Sequence, residues 1–243
     1  MTKPPSELYY RGEREMLARR RVSIVGTRRP SAYTKHTVTR LAAELAKRNV
    51  VVVSGAAMGV DALAHRGAGA SCTIAVMPCG LNHRYPAVNA PLIEEIETKG
   101  LVLSQFGPDC KAAPWRFVVR NELVVALGEV LVVAEADRDS GSMRSVEYAK
   151  SMGKPIFVLP HRLGESEGTN DLLAAGEATA IYDLEDFADR FGRVTEEETA
   201  EEFILFCRTN PTLEEAVRRF GDALFEAELQ GRVTIQDGRV ILR

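Results

Sequence analysis

The feature that most constrains this chain is a short β-branched strand that ends at a glycine and two arginines. Residues 21–29 read RVSIVGTRR, and residues 33–48 behind them are amphipathic. This pattern predicts a strand, a tight turn and a helix, the first unit of an open α/β sheet. Such sheets bind ligands at the carboxyl ends of their strands, against helix N-termini. Because two guanidinium groups lie in this turn, we expect a polyanionic ligand, with a nucleic-acid backbone as the first candidate.

Strand and helix patterns alternate through the next 150 residues. Further short apolar strands are predicted at residues 50–53, 73–77, 101–104, 129–134, 156–159 and 179–182. The sequence therefore predicts an α/β fold, an extended Rossmann-like, mostly parallel sheet with helices on both faces. Residues 1–20 are expected to form a polar, helical lead-in. A loop is expected at residues 164–170 and a short helix at residues 171–176.

The pattern changes after residue 183, which gives a predicted division into domains. Residues 184–198 are strongly acidic and are interpreted as a linker. Beyond them, three short amphipathic helices precede two strands joined by Asp237-Gly238, a typical hairpin turn. This order predicts a small winged-helix-like domain at residues 199–243. The Rossmann-like domain is expected to span residues 21–183, after the lead-in at residues 1–20.

Composition excludes several classes of protein. The 243 residues are 45% hydrophobic and 27% charged, which is typical of a globular protein. No apolar run approaches the roughly 20 residues of a membrane span, so we expect a cytoplasmic protein with no membrane contact. The four cysteines and four histidines lack metal-binding spacing, so neither a metal nor a cofactor is expected. The net charge is −3, with the basic residues concentrated near the N-terminus.

Three turns and one helix carry the candidate binding residues. The turn at Gly26 lacks the GxGxxG spacing of a dinucleotide site, and the chain contains no GxxxxGK[ST] phosphate loop. The turns at residues 54–56 and 140–142 are rich in small residues, whose free backbone N–H groups can hold phosphate. Arg116 and Arg120 are spaced to share a helix face, with Phe117 beside them. Arginines next to an aromatic residue are typical of single-stranded nucleic-acid sites.

Catalysis has little support in the sequence. The acidic residues near the predicted pocket are Asp61, Glu122, Glu135 and Asp137, and none is placed beside a nucleophile. A structural role is favoured for Asp61. The alternative function is a nucleotide hydrolase or phosphoribohydrolase on a related Rossmann-like fold. In a third hypothesis, the C-terminal domain binds duplex DNA and the main domain is a scaffold.

Six motifs in order resemble the DNA-processing protein A family (DprA, also called Smf). Between residues 22 and 182 the sequence contains IVGTRRPSAY, VVSGAAMGVDALAH, GLNHRYPAVN, FVVRN, VVAEADRDSGSM and SEGTNDLLAAGEA. The resemblance implies a homodimer that binds and protects single-stranded DNA and helps to load the RecA recombinase during natural transformation. It implies no catalytic activity. Single-strand-binding protein is a further expected partner.

The resemblance and the turns together give the candidate site. The predicted DNA-binding residues are Gly26, Thr27, Arg28, Arg29, Ser54, Gly55, Ala56, Arg116, Phe117, Arg120, Asn121, Ser140, Gly141, Ser142 and Arg144. Three departures from the family pattern are expected to make the pocket less positive. Met58 and Glu122 stand where basic residues are usual, and His161 replaces a glycine. Arg144 is expected to offset part of this loss.

Overall fold

The computed structural model describes residues 1, 4–194 and 196–243, with the side chains of residues 196–201 and 222 outside the description. The chain divides into two compact units, Met1–Arg193 and Val194–Arg243. No helix within the described residues is long and apolar enough to cross a membrane.

The first unit is built on an eight-stranded sheet. Its strands are β1 (Tyr9–Gly12), β2 (Arg21–Val25), β3 (Val51–Ser54), β4 (Thr73–Val76), β5 (Leu101–Ser104), β6 (Val130–Val133), β7 (Ile156–Val158) and β8 (Thr179–Ala180). Their order in the sheet is β1-β5-β4-β3-β2-β6-β7-β8. All neighbours are parallel except β1, which pairs antiparallel with β5.

Helices cover both faces of this sheet. They are α1 (Ala32–Lys47), α2 (Val60–Ala68), α3 (Ala90–Lys99), α4 (Pro114–Leu127), α5 (Gly141–Ser151), α6 (Glu167–Ala174) and α7 (Leu184–Asp189). On one face, fully buried side chains of α1 such as Leu41 pack with Ile24 and Val52 of the sheet. On the other, Val124 of α4 and Val146 of α5 pack against Val53. The fold confirms the predicted Rossmann-like α/β class, because the inner strands β2 to β7 bury residues on both sides.

The direction of chain winding reverses at β2. From β2 the chain moves to β3, β4 and β5 on one side, and β6 and β7 continue on the other. The carboxyl ends of β2 and β6 therefore meet at a switch point, where connections leave in opposite directions and open a crevice. This topology places the Gly26 turn beside the segment that leads into α5.

Three local predictions differ from the structure. The predicted helical lead-in is wrong, because residues 9–12 form the edge strand β1 and a 3₁₀ helix follows at Arg14–Ala18. The predicted loop at residues 164–170 is too long, since α6 already begins at Glu167. The expected linker at residues 184–198 contains helix α7, whose Phe187 is buried in the core of the first unit. Residue 195 of that segment lies outside the described residues.

The second unit contains α8 (Glu196–Cys207), α9 (Leu213–Phe220), α10 (Asp222–Leu229) and a hairpin of β9 (Val233–Gln236) and β10 (Arg239–Leu242). A capping box between Thr212 and Glu215 fixes the start of α9. Phe203, Leu224 and Val240 are buried in a small core of their own. Three helices followed by a hairpin agree with the predicted winged-helix-like arrangement.

Candidate nucleic-acid interface

A cleft of about 500 Å³ opens at the switch point. Its walls are the turn after β2, the N-terminal part of α5 and one face of α4. The lining residues are Val25, Gly26, Thr27, Arg28, Arg29, Gly55, Ala57, Asp61, Phe117, Val118, Arg120, Asn121, Val124, Ser140, Gly141, Ser142, Arg144 and Ser145. The structure therefore brings most of the predicted residues to one place. Ser54, Ala56 and Arg116 are not among the lining residues.

Backbone hydrogen bonds hold the turn after β2 on both sides. Thr27 donates its N–H to the carbonyl of Glu135 (2.8 Å) and accepts from the N–H of Val60 (3.1 Å). A Cβ at Gly26 would lie 2.7 Å from the Val60 side chain, so no larger residue fits there. The turn is pinned between β6 and α2, and the exposed side chains of Arg28 and Arg29 lie at the mouth of the cleft.

The charged side chain of Arg28 lies against the aromatic ring of Phe117. Its Cζ lies 5.5 Å from the centroid of the Phe117 ring. Tyr85 meets the same ring edge-on, with 5.6 Å between centroids. No ion pair with a carboxylate is found for Arg28 or Arg29 within the part of the chain that the structure describes. The two guanidinium groups are therefore available to an anion.

Arg120, in contrast, is a buried residue. It is 3% exposed, and its Nη1 donates to the carbonyls of Gly55 and Val76. Burial lowers the pKa of Arg120, while the nearby Asp61 opposes that change. Its guanidinium occupies the space that a Cβ at Gly55 would need, so a larger residue at this position would displace the guanidinium.

Arg116 lies outside the cleft, so the predicted shared basic face of Arg116 and Arg120 is wrong. The Arg116 guanidinium donates to the carbonyl of Lys111. Its Cζ lies 5.1 Å from the Trp115 centroid and 5.3 Å from that of Phe106. Helical spacing brings the two arginines to neighbouring positions, but Arg120 turns into the protein and Arg116 turns towards the aromatic pair.

The turn at residues 54–56 stabilises the fold of the cleft floor. Ser54 donates its hydroxyl to the carbonyl of Ile24 (2.7 Å). The N–H of Ala56 donates to His65 Nε2 (3.3 Å), and the N–H of Ala57 donates to Asp61 (3.3 Å). The expectation of free backbone N–H groups for phosphate in this turn is wrong for Ala56, because its N–H has an internal acceptor.

A buried histidine supports this turn. Thr73 donates its hydroxyl to the carbonyl of Val52 (2.8 Å), so it accepts from His65 Nδ1–H (2.6 Å). His65 Nε2 then carries the lone pair that accepts the Ala56 N–H. Burial lowers the pKa of His65 to about 3. The neutral imidazole is therefore part of the folded structure at neutral pH.

Asp61 has the structural role that the sequence favoured. Its carboxylate accepts from the N–H of Ala57 and lies near Arg120. Burial raises its pKa, and the positive charge of Arg120 partly opposes that rise. The carboxylate links the start of α2 to the cleft floor.

The N-terminus of α5 forms the opposite wall. Ser140 is the N-cap residue, and its side chain makes no capping hydrogen bond. The first backbone N–H groups of a helix have no acceptor within the helix, and they carry a partial positive charge. Arg144 pairs with Glu147 at 2.9 Å, but both side chains are more than 60% exposed, so this pair has little stabilising effect.

The departures from the family pattern fall in different places. Met58 is 47% exposed and does not line the cleft. Glu122 lines a separate cavity with Tyr9 and Phe106, so the expectation that it lowers the charge of the main pocket is not supported by its position. His161 donates its Nε2–H to the carbonyl of Ala134 (2.8 Å) at the end of β6.

Sequence reasoning missed two residues of this region. Tyr85 lies in the loop before α3, and no local pattern indicates its contact with Phe117. Ser145 lies on α5 as an ordinary helical serine, yet it lines the cleft with zero exposure. No group of three or more potential metal ligands occurs among the described residues.

The fold and the cleft together define a Rossmann-like α/β protein with an arginine-bearing cleft at its switch point. The family model described as DNA recombination-mediator protein A matches residues 1–192. The chain belongs to this family.

Individual relatives agree with this assignment. The DNA processing protein DprA of Bacillus subtilis is 33% identical over 188 residues, which cover 75% of this chain and 63% of that protein. The structure of DNA processing protein A from Helicobacter pylori, described for its single-stranded DNA binding mode, has 43% identity and a TM-score of 0.76 over 78% of this chain and 88% of that one. The Streptococcus pneumoniae structure has 33% identity and a TM-score of 0.71, covering 76% of this chain and 66% of that one. The matched region spans about half to two thirds of the length of the curated relatives.

Proposed function

We propose that this protein binds single-stranded DNA in the switch-point cleft and delivers it to the RecA recombinase. The observation that carries the proposal is the placement of Arg28 and Phe117. A guanidinium without an ion-pair partner among the described residues lies directly over an aromatic ring at the mouth of the cleft. Phosphate pairing with arginine and base stacking on an aromatic ring are the two contacts that single strands use.

The electrostatics of the cleft support this function despite the overall charge of −3. Arg28, Arg29 and Arg144 line the cleft together with the N-terminus of α5. Asp61 is the acidic residue among its lining residues, and it lies beside Arg120. The single-stranded DNA described for the Helicobacter pylori relative is consistent with this chemistry.

The test is fluorescence anisotropy of a labelled oligo-dT across a salt series. Arg28→Ala is expected to weaken binding at least about fivefold and to reduce the slope of log K against log salt by about 0.7, the value for one lost phosphate contact on a single strand. Arg40→Ala is the matched control, because Arg40 is exposed on α1 and does not line the cleft. Unchanged binding by Arg28→Ala, or a preference of the wild type for duplex DNA, would contradict the proposal.

Delivery to the recombinase is the part of the proposal that derives from the family. We expect a cytoplasmic homodimer that protects incoming strands during transformation and acts on strands coated with single-strand-binding protein. The expected result is faster RecA filament assembly on such coated strands, measured by the recombinase's ATP hydrolysis. The Arg28→Ala variant should lose this stimulation, and analytical ultracentrifugation should give twice the mass of the chain.

The alternative hydrolase function has no comparable observation behind it. Glu135, the carboxylate that this alternative needs, accepts from both the N–H (3.0 Å) and the hydroxyl (2.9 Å) of Ser31 at the start of α1. It does not line the cleft. Nucleotide turnover that disappears in Glu135→Gln would be the result that favours the enzyme.

A further inference from the structure

Two hydroxyl groups of the cleft have no hydrogen-bond partner among the described residues. They are Ser140 Oγ and Ser145 Oγ, and both atoms are buried. Ser145 has zero exposure and lines the cleft together with Ser140. A buried hydroxyl without a partner destabilises the folded state, so such a group in a binding cleft points to a ligand.

The two hydroxyls lie at an end of the cleft that already favours an anion. Ser140 is the N-cap of α5, an 11-residue helix, and its side chain makes no capping bond. The N–H groups of Gly141 and Ser142, the first two residues of the helix, have no acceptor within the helix. Arg28 and Arg144 line the same cleft. Hydroxyl, amide and guanidinium donors therefore converge on one region, and an anionic group with several acceptor oxygens fits it.

We propose that this end of the cleft is a binding site for a phosphomonoester, either the terminal phosphate of a DNA strand or a free mononucleotide. The proposal rests on the proposed function and specifies which phosphate the site prefers. A phosphomonoester carries a charge of about −1.5 to −2 near neutral pH and has three strong acceptor oxygens. A phosphodiester within a strand carries one charge and has two free oxygens, so it satisfies fewer of these donors.

The depth of the site also favours the terminal phosphate of a DNA strand over an internal one. Ser145 has zero exposure, and the cleft volume is about 500 Å³. An internal phosphate brings a nucleoside on each side, whereas a terminal phosphate brings one. A cleft of this size is in the range of a site for a single small ligand.

The carboxylates near the site do not oppose this assignment. Asp61 lines the cleft beside the buried Arg120, whose positive charge offsets it. Glu147 lies on the surface and pairs with Arg144, with side-chain exposures of 64% and 62%. Such an exposed pair breaks at little cost, which frees Arg144 for a ligand.

The test compares four ligands in the same anisotropy assay. Three are oligo-dT strands of equal length with an internal fluorophore, ending in a 5′-phosphate, in a 3′-phosphate or in hydroxyls alone. The fourth is thymidine 5′-monophosphate, used as an unlabelled competitor. We expect one phosphorylated strand to bind about tenfold more tightly than the hydroxyl-ended strand at pH 7.5. The advantage should shrink at pH 5, because the second ionisation of a phosphomonoester has a pKa of about 6.

Ser145→Ala supplies the decisive variant. It should reduce the advantage of the phosphorylated strand over the hydroxyl-ended strand, measured as the ratio of their affinities for the same variant, to less than about twofold. The same variant should have a higher Tm than the wild type, because it removes a buried hydroxyl without a partner. Ser151→Ala is the matched control on the same helix, since Ser151 is exposed and donates to the carbonyl of Tyr148.

The outcomes separate the two proposals. Equal binding of all three strands, with no effect of Ser145→Ala, overturns the phosphomonoester site and leaves the proposed function standing. Failure of every strand to bind overturns the proposed function. Competition by the mononucleotide at the concentration that the phosphorylated strand requires supports the site and identifies the free nucleotide as its ligand. Weak competition, with tight binding of the phosphorylated strand, identifies the strand end.

Discussion

The guanidinium of Arg28 lies over the ring of Phe117, with 5.5 Å between Cζ and the ring centroid. Arg28 is supplied by the turn after β2, and Phe117 by the first half of α4. The two residues are 89 positions apart in the sequence, so the sheet topology creates this pair. The pair places a positive charge next to an aromatic surface. A nucleotide can then bind with its phosphate at the guanidinium and its base stacked on the ring.

Replacing Phe117 with leucine should weaken binding of oligo-dT by about 1–3 kcal/mol, because one stacked base loses its aromatic partner. Leucine keeps an apolar side chain at this half-buried position, so the fold should be retained. Tyr182→Leu is the control, since Tyr182 is 86% exposed and does not line the cleft. Equal affinities of Phe117→Leu and the wild type, measured by anisotropy, would show that the bases stack elsewhere.

Tyr85→Leu should weaken the same binding by a smaller amount, about 0.5–1.5 kcal/mol, the range for an aromatic pair. Tyr85 supports the Phe117 ring edge-on at 5.6 Å between centroids. Tyr85→Phe should bind like the wild type, because the ring contact and not the hydroxyl is needed. A loss in Tyr85→Phe as large as in Tyr85→Leu would contradict this role.

Arg120→Met should lower the free energy of unfolding by about 3–5 kcal/mol, the range for removing one partner of a buried charge pair. The substitution leaves the carbonyls of Gly55 and Val76 without their donor and removes the positive charge near Asp61. Urea denaturation measures the loss. Adding Asp61→Asn to Arg120→Met should recover part of it, because the unpaired carboxylate is then absent. A cost below about 1 kcal/mol for the single variant would show that the buried arginine is not needed for the fold.

Stability should fall at acidic pH because of His65. Its pKa is about 3 in the folded protein against 6.5 for the free side chain, so the unfolded chain binds a proton that the folded chain excludes. The histidine's contribution is therefore complete above pH 6.5 and is lost as the pH falls towards 3, by about 4–5 kcal/mol in total.

The measurement is the free energy of unfolding of wild type and His65→Gln between pH 4 and pH 7.5. Glutamine does not titrate, so the variant should be less stable at neutral pH, and the difference between the two proteins should narrow as the pH falls. Parallel pH profiles would contradict the assignment of a neutral, buried imidazole.

Local sequence patterns predict the first strand, turn and helix closely, because each element has its own signal. Val22, Ile24 and Val25 are β-branched and apolar, and Ser31 accepts from the N–H of Thr34 as a helix N-cap. The ends of the parallel strands then bring the Gly26 turn and the Ser140 turn together. Because the carboxyl ends of parallel strands lie at the same edge of a sheet, the general position of the cleft can be predicted from the sequence.

The features that sequence patterns did not predict depend on distant partners. Residues 9–12 become a strand because they pair with residues 101–104 at the sheet edge. Arg120 is buried because Gly55, 65 residues away, leaves room for its guanidinium. Tyr85 reaches the cleft region from a loop, and Ser145 reaches it from a face of α5. The local sequence around each residue does not indicate these positions.

The most direct test of the central claim is photocross-linking of an oligo-dT that carries 5-iodouracil, followed by mass spectrometry of the cross-linked peptides. The account predicts cross-links to the peptide that contains Phe117, competed away by unlabelled single strands and absent in Phe117→Leu. Cross-links confined to the second unit, Val194–Arg243, would contradict the assignment of the switch-point cleft as the DNA site.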